Sequence, residues 1–111
     1  MTEEYLNLGR EALANGQPED AMRHFQAAYA LQPDNSEVIF YLGRASQDLD
    51  RHADAVHYYA EVLKYLRRLL RKGAGALLVE HDAELAARLR NARKARALDR
   101  RRRARLLDAT A

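Results

Sequence analysis

Apolar residues recur every three to four positions from the first residues of the chain. Tyr5, Leu8 and Ala12 share one side of a predicted helix, and Ile39, Leu42 and Ser46 do the same 34 residues later. Between these stretches, "ANGQPED" (Ala14 to Asp20) predicts a turn at Gly16 and a helix beginning at Pro18, with acidic residues in its first turn. "LQPDNSE" (Leu31 to Glu37) closes that second helix at Pro33. It starts a third on a cap from Ser36 or a neighbouring Asp or Asn. From Ala53 to Lys72 the apolar pattern runs on without a terminating Pro, so a fourth, unusually long helix is expected before "KGAGA" (Lys72 to Ala76) breaks it. A fifth helix is expected from about Ala76, with Leu78, Leu85, Leu89 and Ala92 on one face.

The pattern is an internal repeat. When Thr2–Asn35 is laid over Ser36–Leu69, Leu8-Gly9-Arg10 meets Leu42-Gly43-Arg44, Asp20-Ala21 meets Asp54-Ala55, and Phe25 meets Tyr59. A mid-helix Gly costs about 1 kcal/mol relative to Ala, so its return in both units needs a reason. Close approach of paired helices supplies one, with Gly9 against Ala21 and Gly43 against Ala55.

A period of 34 residues built from two helices resembles the tetratricopeptide repeat. Tyr5, Leu8, Gly9, Ala12, Ala21, Phe25, Ala28 and Pro33 match that family's pattern in the first unit. The second keeps Leu42, Gly43, Ala55 and Tyr59 but has Ile39, Ser46 and Val62 where other types are favoured, and Arg67 in place of the closing Pro. The resemblance implies an all-α solenoid of two hairpins, 2–35 and 36–69. Two hairpins are fewer than such solenoids usually need. Residues 76–98 are therefore expected to form a long C-terminal capping helix over the open end, followed by a basic helix end or tail over 99–111.

The resemblance also implies a site. The first helix of each repeat in this family lines a concave groove. The matching positions here are Glu3, Leu6, Arg10, Leu13 and Ala14, then Glu37, Phe40, Arg44, Gln47 and Asp48, with Asn7 and Tyr41 beside them. Leu6 and Phe40 would form an apolar floor. Arg10 and Arg44 would be available to a carboxylate or satisfied by Glu37 and Asp48. Members that grip chaperone tails use a Lys and an Asn where this chain has Leu6 and Arg10, which argues against that partner.

Charge divides the chain. Residues 1–61 hold 11 acidic and 4 basic side chains, whereas 62–111 hold 15 basic and 5 acidic, within a net +3. The basic excess peaks at Arg100, Arg101, Arg102, Arg103 and Arg105. Three uses fit this run: a solvated helix end, an acidic partner or second copy of the chain, or nucleic-acid phosphates. No aromatic residue follows Tyr65, so a nucleic acid would be held by its backbone without base stacking. A membrane helix would lack its interfacial anchors for the same reason.

Catalytic chemistry has little support. The chain has no Cys, which fits a reducing compartment, and its apolar runs are too short for a spanning segment. His57 and Glu61 have metal-compatible helical spacing but no third ligand. His24, His52 and His81 read as surface residues, and "RKGAGA" lacks the full phosphate-loop pattern. The expectation is a cytoplasmic, cofactor-free non-enzyme that binds a protein or peptide in its groove, with a homo-oligomer as a further option. The alternative is a nucleic-acid accessory protein acting through the Arg run.

Overall fold

The computed structural model describes residues 1–73 and 76–110, the side chains of 76–79, 109 and 110 excepted. Five helices follow in order: α1 (Thr2–Ala14), α2 (Pro18–Leu31), α3 (Ser36–Asp48), α4 (His52–Arg71) and α5 (Ala76–Thr110). No strand occurs among the described residues. Of the expected breaks, Ala74 and Gly75 lie outside the described residues, as does the side chain of Leu78 on the fifth-helix face.

Local chemistry accounts for the helix ends. Pro18 opens α2, where a missing N–H costs nothing, and Glu19 and Asp20 complement the helix dipole. For α3 the cap is Asn35, whose side-chain oxygen accepts from the backbone N–H groups of Glu37 at 3.0 Å and Val38 at 3.3 Å. The two intra-hairpin turns are copies of one motif. Gly16 N–H donates to Leu13 and Gln17 N–H to Ala12; Asp50 N–H donates to Gln47 and Arg51 N–H to Ser46. This Schellman arrangement needs a left-handed residue, supplied by Gly16 at φ 71° and by Asp50 at φ 58°.

Each helix packs on its neighbours along the chain, and the core forms two clusters. Phe25 and Leu42 centre the first, with Leu6, Met22, Ala28 and Val38. Tyr59, Val62 and Leu63 of α4 meet Leu85, Leu89 and Ala92 of α5 in the second. The repeated glycines are indeed close-approach sites, but their principal partners are rings. A Cβ on Gly43 would lie 2.7 Å from Tyr59 Cε1, and one on Gly9 would overlap the Phe25 ring. Ala21 and Ala55 are fully buried, but the atoms nearest each added Cβ belong to the rings.

Two positions depart from the predicted pattern. Leu8 is 45 % exposed, whereas Leu42 at the same repeat position is 1 % exposed. Leu42 packs in the cluster built on α2, and no described helix lies on the Leu8 side of α1. His52, expected at the surface, is the first residue of α4, with its side chain only 16 % exposed. Its Nε2 lies 3.7 Å from both Asp50 Oδ1 and Asp99 Oδ2. α5 is thus tied to the α3–α4 turn as far as Asp99. At 35 residues and about 1.5 Å per residue, this helix is about as long as the molecule's longest dimension, 53 Å.

Candidate functional site

The groove residues divide into those that reach one place and those that do not. Phe40 and Tyr41 project from α3 as an edge-on pair with ring centroids 5.4 Å apart. Phe25 stacks on Tyr41 at 5.3 Å, and Tyr59 lies 5.9 Å from Phe40, so core rings fix both side chains from below. Arginines cover the exposed sides. The guanidinium carbons of Arg10 and Arg44 lie 5.6 Å and 5.9 Å from the Tyr41 ring centre, and that of Arg88 lies 5.7 Å from the Phe40 ring centre. These are cation–π distances. Three helices therefore bring three guanidiniums to one aromatic pair.

Beside the pair is an open cavity of about 530 Å³, walled by Glu37, Phe40, Tyr41 and Arg44 from α3, Leu66 from α4, and Leu85 and Arg88 from α5. Arg88 Nε is buried without a hydrogen-bond partner and has Glu84 Oε1 at 3.6 Å. A guanidinium so placed presents donors in a planar fork suited to a carboxylate. At the inner edge, the Tyr59 hydroxyl donates to Gln47 Oε1 at 2.7 Å. Burial pushes that hydroxyl above the usual tyrosine range, partly offset by the nearby Arg88 guanidinium.

Other expected groove members lie elsewhere. Leu6 is only 6 % exposed and belongs to the first core cluster, against which Tyr41 also packs. It is core, not an exposed floor, and the apolar floor is Phe40 with Leu66 and Leu85. Leu13 is half-buried on the same cluster. Gln47 turns inward to Tyr59, while Glu3, Asn7, Ala14, Glu37 and Asp48 are exposed. Arg100, Arg101, Arg102, Arg103 and Arg105 are exposed along the distal turns of α5. Arg88 and Leu66 were not anticipated. Their signal was present, since Arg88 lies between Leu85 and Leu89 and four residues after Glu84.

Elsewhere, His57 and Glu61 form an exposed pair at 3.7 Å. No group of three potential metal ligands occurs among the described residues. No described helix is long and apolar enough to cross a membrane.

The paired-helix architecture, the glycines under Phe25 and Tyr59, and the repeated turn define a two-hairpin helical-repeat fold. The tetratricopeptide repeat family matches residues 12–72, more than half of the chain, and the chain belongs to that family. Repeats of this kind are typically non-catalytic modules for protein–protein interaction. Among curated proteins, no sequence matches the chain.

Proposed function

We propose that the chain binds a segment of a partner protein in the concave groove. The segment would place a large apolar side chain against Phe40, Leu66 and Leu85 and a carboxylate toward Arg44 and Arg88. The observation that carries this reading is the convergence of Arg10, Arg44 and Arg88 on the Phe40–Tyr41 pair beside a cavity of about 530 Å³. Aromatic and Arg side chains are the commonest anchors of protein interfaces. Rings already braced by core neighbours lose little entropy on binding. In the same reading α5 has two parts. Ala76 to about Leu98 closes the second hairpin and lends the groove its third wall, and the Arg-rich remainder is a separate charged extension. The module acts as an adaptor or assembly factor without catalytic chemistry.

Peptide-display selection on the immobilised chain tests this. Enriched segments should combine an acidic residue with a large apolar one. The Arg10→Glu, Arg44→Glu double variant should lose that enrichment with helicity unchanged, and Phe40→Ala should weaken it. Undiminished enrichment in both variants would move the binding site out of the groove.

A further inference from the structure

The two ends of the solenoid differ in charge and are exposed for the same reason. In the second hairpin, Leu42 packs in the cluster built on α2, and Tyr58 packs on that cluster too. The residues at the same repeat positions in the first hairpin are Leu8 and His24. Leu8 is 45 % exposed. These are positions that the fold uses to join one hairpin to the one before it. On the same side of α1, about one turn either side of Leu8, stand Glu4 and Glu11, both exposed. The nearest cation on the helix, Arg10, lies over the Tyr41 ring on the opposite side.

At the other end, α5 packs on α4 as α3 packs on α2, but no described helix lies across it. The resulting groove, of about 380 Å³, has Leu63 and Leu89 in its floor and five cations on its rims: Lys64, Arg67, Arg71, Arg90 and Arg93. Arg67 has Asp82 at 3.2 Å; the other four form no ion pair among the described residues. Five cations around one groove repel each other and favour an acidic occupant.

We propose that the groove receives the acidic side of α1 from a second copy of the chain. Glu4 and Glu11 then face Arg90, Arg93 and Lys64, with Leu8 laid over the floor of the groove. Two different surfaces meet, so the contact is head-to-tail and can repeat, giving a ring or a short chain of copies. Acid-to-acid and base-to-base encounters are repelled, which sets the polarity. The contact lies outside the Phe40–Tyr41 groove and leaves that groove open in every copy. It also gives each two-hairpin body the further stacked neighbours that helical repeats need.

Sedimentation velocity on the full chain across a concentration series, in low and in high salt, provides the test. Weight-average mass should rise above the 12.7 kDa of one chain as concentration increases in low salt, and return to it in high salt. Glu4→Arg with Glu11→Arg should remain monomeric alone, as should Arg90→Glu with Arg93→Glu. An equimolar mixture of the two variants should associate, because every contact then pairs opposite charges. A monomeric unsubstituted chain at all concentrations overturns the proposal, as does association that survives either charge reversal, or a mixture that stays monomeric. One such overturning result would be a monomer that binds a short RNA duplex through Arg90 and Arg93, making the groove a phosphate-backbone site.

Discussion

Phe25 in the first hairpin and Tyr59 in the second lie over Gly9 and Gly43 at the same repeat position, yet they are accommodated differently. The Tyr59 hydroxyl is buried and donates to Gln47. Where the second hairpin has Gln47 the first has Leu13, half-buried on an apolar cluster. A Phe–Leu pair and a Tyr–Gln pair thus fill equivalent space. The larger ring of Tyr59 is admitted together with a partner for its hydroxyl, because a buried hydroxyl left alone costs more than its hydrogen bond contributes. Two other positions lack that compensation. Ser46 replaces Ala12 and buries an Oγ that has no hydrogen-bond partner. Asp50 replaces Gly16 and accepts a left-handed backbone that suits glycine better.

The largest way to break the equivalence is at the glycines. Gly43→Leu should destabilise the chain by about 3 kcal/mol, because the fully buried Tyr59 ring has nowhere to move. Gly9→Leu should do the same through Phe25. Urea unfolding measures both, and a cost confined to one hairpin would show that the two crossings are not alike.

Next in size is the Tyr59–Gln47 pair. Gln47→Leu alone strands the hydroxyl and should cost about 1–3 kcal/mol. Adding Tyr59→Phe, which recreates the first hairpin's Phe–Leu solution, should recover most of it. A double-mutant cycle in urea gives the coupling, and additive losses would contradict the pairing.

The same hydroxyl predicts alkaline sensitivity. Burial holds the Tyr59 proton in place, raising its pKa above the ordinary 10.0. Burial, followed by the Asp54 carboxylate, does the same for Tyr58. The folded state therefore binds these protons more tightly than the unfolded chain does. That stability is fully present below about pH 10 and is lost as pH rises through the elevated values. In the doubly substituted Tyr59→Phe, Gln47→Leu chain, the decline above pH 10 should be shallower.

The smallest effect is at the turns. Asp50→Gly should gain up to about 1 kcal/mol by removing a Cβ from a left-handed position. The Asp50 side chain is 89 % exposed, so its contact with His52 offsets little of that gain. Gly16→Asp should lose a similar amount, measured as opposite shifts in midpoint temperature.

Much of the architecture was legible because it rests on local chemistry and period. The turn at Gly16, the Pro18 start, the long α4 and the buried face Leu85–Leu89–Ala92 follow from residue types at fixed spacing. What escaped depends on neighbours distant in the chain. Leu8 and Leu42 are identical residues in identical patterns, and only the presence of α2 beside one of them separates their burial. Repeat position points Leu6 to the groove, but Tyr41, held by the Phe25 stack beneath it, packs against the same cluster and leaves Leu6 in the core. Arg88 belongs to a helix outside the repeats, so no repeat position pointed to it. His52 shows its role only once α5 brings Asp99 within 3.7 Å.

In the proposed division of α5, two hairpins become a stable body through this helix as far as Asp99, and the Arg-rich turns beyond it contribute nothing to folding. Thermal unfolding of two truncated chains at low protein concentration tests this directly. Ending the chain after Asp99 should leave the midpoint within a few degrees of the full chain, a change below about 1 kcal/mol. Ending it after Gly75 uncovers the α4 side of the second cluster and should abolish the cooperative transition or cause aggregation. A normal transition in the shorter chain, or collapse of the longer one, would contradict the account.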